Sequence, residues 1–384
     1  VDVILLILGL VVLVVGGDFL VKGASGIALK LNVEPMIVGL TVVSIGTSAP
    51  ELIVSLNSAF SGQADIALGN VVGSNIANLG LVLGLTAMVF PIAVGSKVLK
   101  MDWPILVMFS GLVYYFGYDN YLTRFEGGIL VILLISYIYL LLKRGKTNPL
   151  DAEVDDLDVN SANKSNGILA LCVLLGMVAL YFGAEWFLKG AVNLGKNTFG
   201  LSEKVIGVTI VAFGTSAPEL AASIIAAYRK ETDIALGNLV GSNIFNIAAV
   251  LGITSLITPL KTSASIMNYD IYWMLVLAII LFPLMIFKKK LSLISGIILF
   301  GIYALEKAFL ALQSKTNSID LLLNNGGISQ RGLAVDTDYS VVERIMNVNF
   351  LGTIKWTTLC LPLLKKSAAP HITVISSVVG EYGF

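Results

Sequence analysis

Charge is what this chain has least of. Asp, Glu, Lys and Arg make up 13% of its 384 residues. A soluble globular domain carries about a quarter, so most of this chain is expected to lie in lipid. Lys and Arg total 25 and Asp and Glu total 25, a net charge of zero that argues against a nucleic-acid partner. Histidine occurs once, at His371, which excludes histidine-based metal or proton chemistry from the apolar part. Cysteine occurs twice, at Cys172 and Cys360, too few and too far apart for a disulfide framework or a zinc cluster. The first apolar stretch, Val3 to Leu20, lacks a basic segment before it and a convincing cleavage site after it. It reads as a spanning helix, not a signal peptide.

What the chain has instead is apolar length: 56% hydrophobic residues and a mean hydropathy of +0.88. Stretches long enough to cross about 30 Å of hydrocarbon fall near residues 2–22, 34–60, 66–91, 102–118 and 126–143. A second set falls near 166–188, 203–230, 234–259, 270–288 and 292–312. The expected fold is an all-α polytopic membrane protein of ten transmembrane helices, five per half.

The halves repeat one another. Gly39-Leu-Thr-Val-Val-Ser-Ile-Gly-Thr-Ser-Ala-Pro-Glu51 returns 168 residues later as Gly207-Val-Thr-Ile-Val-Ala-Phe-Gly-Thr-Ser-Ala-Pro-Glu219. Asp65-Ile-Ala-Leu-Gly-Asn-Val-Val-Gly-Ser-Asn75 returns at the same offset as Asp233-Ile-Ala-Leu-Gly-Asn-Leu-Val-Gly-Ser-Asn243. Gly16-Gly-Asp-Phe-Leu-Val-Lys-Gly23 resembles Gly183-Ala-Glu-Trp-Phe-Leu-Lys-Gly190, 167 residues on. An odd number of helices per repeat makes the second copy enter from the opposite side, so the two five-helix repeats are expected to be inverted.

Loop charge orients them. The connections holding Lys22, Lys30, Lys97, Lys100, Lys143 to Lys164, Arg229, Lys230 and Lys288 to Lys290 carry about twice the basic residues of the opposite face. That basic face is expected to be cytoplasmic, which places the N-terminus outside and the inter-repeat loop inside a multi-pass cell-membrane protein. The expected domains are a first repeat over 1–143, an acidic linker over 144–165, a second repeat over 166–313 and a mixed segment over 314–384. The acidic run from Asp151 to Asp158 reads as a solvated linker in preference to a regulatory calcium-binding loop.

The repeated motif carries chemistry. On a helix Thr47 and Glu51 share a face with Ser48 beside them. Pro50 has no N–H and clashes with the Gly46 carbonyl, so backbone oxygens are released for a cation. Thr215, Ser216, Pro218 and Glu219 repeat the arrangement. Polar stripes follow at four-residue spacing, Asn70, Ser74 and Asn78, then Asn238, Ser242 and Asn246. Hydroxyls, carbonyls, amides and two carboxylates are the ligands of a hard cation.

Ser and Thr taken singly also serve ordinary helix packing, and the glycines, Gly16, Gly17 and Gly183 among them, fit packing and flexing equally well. Glu51 and Glu219 do not fit packing. A carboxylate at mid-membrane costs several kcal/mol unless paired or solvated, and neither motif holds a Lys or Arg. Asp18 and Glu185, near helix ends, read as interfacial.

Gly-Thr-Ser-Ala-Pro-Glu with Gly-Asn-Val-Val-Gly-Ser-Asn, repeated in each half, resembles the alpha repeats of the cation/calcium exchanger superfamily, especially prokaryotic sodium/calcium exchangers. The resemblance covers about residues 1–313 and implies a ten-helix antiporter of Na⁺ and Ca²⁺ with four central cation sites and no cofactor. It implies Ca²⁺ held by Glu51 and Glu219 with carbonyls near Thr47 and Thr215. It implies Na⁺ held by the same acids with Ser48, Ser74, Ser216 and Ser242, and a central position at Asn78 and Asn246. Some relatives carry aspartate where this chain has Asn246, so two carboxylates remain in the centre here. Three-for-one, electrogenic exchange is a further implication of the resemblance. Partners beyond the ions and the lipid bilayer are not called for. A proton- or potassium-coupled cation/calcium exchanger is the alternative reading.

From Ser314 to Phe384 the pattern changes to a small, incomplete α/β segment. Ile319-Asp-Leu-Leu-Leu-Asn-Asn-Gly-Gly-Ile328, Asn347-Val-Asn-Phe-Leu-Gly352 and Ile372-Thr-Val-Ile-Ser-Ser377 resemble the middle of a short-chain dehydrogenase/reductase. The resemblance implies that Asn349 matches that family's asparagine helix and Ser376 or Ser377 its serine region. No Thr-Gly-x-x-x-Gly-x-Gly phosphate loop precedes them, and Tyr382 has no Lys four residues on. The segment is therefore expected to be a fusion or chimeric piece without reductase activity, and an NAD(P)-dependent reductase is the rival reading from another class.

Overall fold

The structure is a computed structural model that describes residues 2–144, 165–198, 212–263, 265–315, 321–324, 350, 352–366 and 370–374. The chain forms two units, Val1–Ala304 and Leu305–Phe384. In the first half run α1 (Asp2–Leu31), α2 (Pro35–Thr47), α3 (Ala49–Phe60), α4 (Ala64–Val89), α5 (Trp103–Gly117) and α6 (Arg124–Arg144). The second half holds α7 (Asn166–Asn197), α8 (Ala212–Thr215), α9 (Ala217–Tyr228), α10 (Thr232–Ile257), α11 (Ile271–Ile286) and α12 (Leu293–Lys315).

Each of the ten expected stretches coincides with helix, the seventh from Ala212 onward. Six described helices are long and apolar enough to cross a membrane, or seven if α2 and α3, bent by 44° at Ser48, form one span. The acidic linker and the start of the second motif, Gly207 to Val211, lie outside the described residues.

Two helices form the centre. The most apolar windows of α4 and α10 are 83% and 78% buried, against 28% and 33% for α1 and α7. This is why α4 and α10 can carry Asn and Ser: their polar faces meet protein, not lipid. The periphery is built the other way round. Ile4, Ile7, Val11 and Val14 of α1 face outward, while Gly9, Gly16 and Gly23 face α7. Lipid removes any hydrophobic drive between helices, so small residues that admit close backbone contact decide the packing.

The contact between α1 and α7 is a glycine seam. A Cβ on Gly16 would stand 2.9 Å from the Leu180 nitrogen, and one on Gly183 would stand 2.8 Å from the Leu13 nitrogen. Gly9, Gly16 and Gly23 recur every seventh residue, as do Gly176, Gly183 and Gly190. Gly17 meets Ala221 and Ile225 of α9 in the same way. Of the two readings open for these glycines, close packing is the one the structure displays.

Two short antiparallel clips join the halves. Ile92–Ala93 (β1) pairs with Lys290–Leu291 (β4), and Tyr121–Leu122 (β2) pairs with Leu260–Lys261 (β3). Wide π-helical turns also recur in both halves. Val98–Asp102 precedes α5 and Ile266–Asp270 precedes α11, while Ala77–Val82 lies within α4 and Asn246–Leu251 within α10.

In the second unit Leu321–Asn324 (β5) pairs in parallel with His371–Val374 (β6), Leu321 opposite His371. A parallel pair needs a crossover, and the helix Gly352–Leu364 (α13) lies between them in sequence. Cys360 and Leu364 are buried there against Trp356. Where they are described, the strand-like runs expected at Ile319–Leu323 and His371–Ile375 are strand, over Leu321–Asn324 and His371–Val374. Gly326, Gly327, Asn349, Ser376, Ser377 and Tyr382 lie outside the described residues.

Candidate cation site in the membrane unit

The site begins with two broken helices. Ser48 ends α2 at φ −89°, ψ 2°, and α3 restarts with Pro50 in its first turn. Ser216 sits at φ −92°, ψ 9° before α9, which restarts with Pro218. Each break puts a glutamate in the first turn of the new helix, Glu51 in α3 and Glu219 in α9. The partial positive charge of a helix N-terminus favours an anion there.

Both acids are inside the protein, Glu51 2% exposed and Glu219 fully buried. They lie close enough to interact through their charges. Ser74 is the polar neighbour of Glu51, and Thr47 that of Glu219, so each acid is flanked by a hydroxyl. Neither approach has the geometry of a full hydrogen bond. All four carboxyl oxygens, the Ser48 and Ser216 hydroxyls and both ends of the Asn78 amide lack a hydrogen-bond partner among the described residues. A buried polar group without a partner costs about 1–3 kcal/mol, and more when charged. Carboxyl and hydroxyl oxygens gathered in this way are the ligand type that hard cations take.

The two halves interlock around it. The helix bearing Glu51 packs on the Asn246–Leu251 turn of the other half, and the helix bearing Glu219 packs on the Ala77–Val82 turn. These π turns start at or next to Asn246 and Asn78, and such turns often re-aim side chains at functional sites. The Thr47 hydroxyl crosses between halves, 3.1 Å from Asn238 Oδ1 and 3.2 Å from the Ser242 hydroxyl. Behind the acids, Asn70 Nδ2 donates to the Ser55 hydroxyl at 3.0 Å, and Asn238 Nδ2 donates to the Ser223 hydroxyl at 3.0 Å. Asn70 Nδ2 also reaches the Glu51 carbonyl at 3.2 Å. These bonds tie each acid-bearing helix to the central helix that follows it.

The residues expected from sequence therefore largely converge: Glu51, Glu219, Thr47, Ser48, Ser74, Ser216 and Ser242 share one buried region, with Asn78 and Asn246 at its π turns. Thr215 is only half-buried, at the end of α8. Two residues escaped the sequence reading. Asn75 and Asn243 are fully buried and form part of the contact between α4 and α10. Their own signal was present, since both close the repeated block, but they fall off the four-residue stripe. Among the described residues there is no group of three or more His, Cys, Asp or Glu. Two carboxylates among hydroxyls and amides suit a hard, oxygen-seeking cation rather than zinc.

Comparison with known proteins fits this geometry. The sequence profile of the sodium/calcium exchanger protein family matches residues 1–143 and 168–312. The chain belongs to that family. It is 41% identical over 303 residues to CaxA of Alkalimonas amylolytica, which covers 77% of this chain and 94% of CaxA. It is 33% identical to the sodium/calcium exchanger MaX1 of Methanosarcina acetivorans, over 79% of this chain and 96% of MaX1. The solved sodium/calcium exchanger of Methanococcus jannaschii superposes with a TM-score of 0.69 at 32% identity, covering 80% of this chain and 97% of that one. The tail differs: residues 303–384 match the short chain dehydrogenase profile. The two matched ranges overlap over the end of α12.

Proposed function

We propose that this chain exchanges Na⁺ for Ca²⁺ across a membrane by alternating access, with Glu51 and Glu219 as the shared charge. One observation carries the reading: the four carboxyl oxygens of two buried acids that feel each other's charge have no hydrogen-bond partner among the described residues. Two glutamates give −2, which one Ca²⁺ neutralises. Three Na⁺ leave +1, so three-for-one exchange is electrogenic, and each net charge is worth about 2.3 kcal/mol per 100 mV. The emptied pair is too costly to carry through the membrane, which makes exchange obligatory.

The ligand assignment follows the pseudo-symmetry. Glu51 and Glu219 with carbonyls near Thr47 and Thr215 hold Ca²⁺. Ser48, Ser74, Ser216 and Ser242 with the same acids hold Na⁺, and Asn78 and Asn246 line the centre. The layout is ten spans in two inverted repeats, 1–143 and 166–313, joined by a cytoplasmic linker over 144–165, with the N-terminus outside. The clips support it: β1–β4 joins the turns after spans three and nine, and β2–β3 those after spans four and eight. An alternating topology puts each of those pairs on a common side. The seam between α1 and α7 lets them slide as one body against the rest, opening the site to either face.

The segment 314–384 takes no part in transport and has no reductase activity, since the sequence lacks the glycine-rich phosphate loop. An NAD(P)H titration checks this, and saturable binding would contradict it. For transport, purified protein in liposomes should take up ⁴⁵Ca²⁺ when loaded with Na⁺ and diluted into Na⁺-free buffer. Uptake driven equally well by a proton or potassium gradient alone would turn the reading to the other coupling ion.

A further inference from the structure

The pseudo-symmetry that governs the acids breaks at the central amides. Asn75 Nδ2 donates to the Asn243 backbone carbonyl at 3.2 Å, across the contact between α4 and α10. The same Nδ2 touches Met274 Sδ at 3.7 Å. Asn246 Nδ2 donates to Asn75 Oδ1 at 3.1 Å. The mirror residue of Asn75, Asn243, instead bonds within its own helix, Nδ2 to the Leu239 carbonyl at 2.7 Å. The mirror residue of Asn246, Asn78, has no partner at either end of its amide.

The polarity of this relay is fixed. A backbone carbonyl only accepts, so Asn75 must present its NH₂ to Asn243 and its oxygen to Asn246. Asn246 must then turn its own NH₂ toward Asn75. Its Oδ1, which is buried and has no partner, is left pointing away from the relay. The direction of the Asn246 carbonyl is thus set two steps away, by the main chain of α10.

We propose that Asn75 is a positioning residue that presets the Asn246 oxygen as a cation ligand, leaving Asn78 as the adaptable ligand opposite it. This rests on the cation-site reading above and deepens it. The central position is then not two equivalent amides but one fixed and one free. The fixed one holds its geometry through the transport cycle, and the free one follows the ion. Outer partners that orient a ligand typically contribute tenfold or more to metal affinity.

The test is a double-mutant cycle on the full chain in liposomes, reading half-saturating Na⁺ and Ca²⁺ for ⁴⁵Ca²⁺ exchange. Asn75→Ala should raise half-saturation about tenfold, and Asn246→Ala at least as much. The double variant should be no worse than Asn246→Ala, because Asn75 acts only through Asn246. Losses that multiply in the double variant, or a wild-type response from Asn75→Ala, would overturn the proposal while leaving the exchanger reading intact. Wild-type protein without Na⁺-dependent Ca²⁺ exchange would overturn both. Should Asn75→Ala fail to insert, Asn75→Leu keeps nearly the same volume and removes both the donor to Asn243 and the acceptor for Asn246 Nδ2. It is expected to reproduce the same loss, and a normal half-saturation there would equally refute the relay.

Discussion

Glu51 and Glu219 sit in the first turns of helices that restart after serines of nearly the same backbone angles, φ −89° and −92°. Behind them Asn70–Ser55 and Asn238–Ser223 make the same bond at the same 3.0 Å. The outer ends of the two halves do not match. Asp18 of α1 pairs with Lys22 and with Arg229 beyond α9, and the Ser25 hydroxyl donates to Glu231 at 2.9 Å. At the repeat offset the corresponding positions are Glu185 for Asp18, Ser61 for Arg229, Val192 for Ser25 and Gln63 for Glu231. Among the described residues Glu185 forms no ion pair, and Ser61 and Gln63 are exposed. The two halves match at the acids and at the bonds behind them, and differ at the central amides and at the rim. The rim only has to hold α1 in place, so it is free to differ.

The largest way to break the comparison is at the acids. Glu51→Gln and Glu219→Gln should each abolish Na⁺-driven ⁴⁵Ca²⁺ uptake while the protein still inserts and runs as a folded species in detergent. Equal loss is the point: one variant retaining substantial exchange would show that the acids are not a shared pair.

Next comes the seam. Gly16→Leu places bulk where a Cβ already meets backbone at 2.9 Å. Overpacking costs about 1–3 kcal/mol, and the wedge should slow exchange tenfold or more without weakening Ca²⁺ binding at equilibrium. Gly128, where a Cβ would meet nothing nearer than the Leu256 side chain at 3.7 Å among the described residues, should accept alanine with little change in rate.

The sequence made the acids, the breaks and the central helices legible because each is written twice. A feature duplicated in letters at offset 168 survives any error in a single helix boundary. The clips, the π turns and the Asn75 relay were not legible. Strands of two residues carry no period, and a π turn is one extra backbone residue with no side-chain signature. Asn75 lies off the stripe formed by Asn70, Ser74 and Asn78, and its role depends on which carbonyl faces it across α10. Gly16 and Gly183 were legible as important but not as packing or hinge, since that depends on what lies within 3 Å.

A smaller effect sharpens the mismatch inside the site. Asn75→Ala should weaken ion binding more than Asn243→Ala, whose side-chain bond stays within one helix. Half-saturation measured on both variants checks the order. The smallest effect lies at the rim. Asp18 and Arg229 are about a third exposed, so their pair contributes no more than about 1 kcal/mol. Arg229→Gln should therefore change the ratio of exchange rates measured from the two faces by less than about fivefold. The same substitution should leave equilibrium Ca²⁺ affinity unchanged, and a fall in that affinity would show that the ion pair reaches the site itself.

In the proposed exchange, one carboxylate pair serves both ions in turn. Equilibrium ⁴⁵Ca²⁺ binding to the purified full chain, titrated with NaCl against choline chloride, tests it most directly. Ca²⁺ should bind at one site per chain, be displaced steeply by Na⁺ and fail to bind the Glu51→Gln, Glu219→Gln double variant. Ca²⁺ binding that ignores Na⁺, or that survives the loss of both acids, would contradict it.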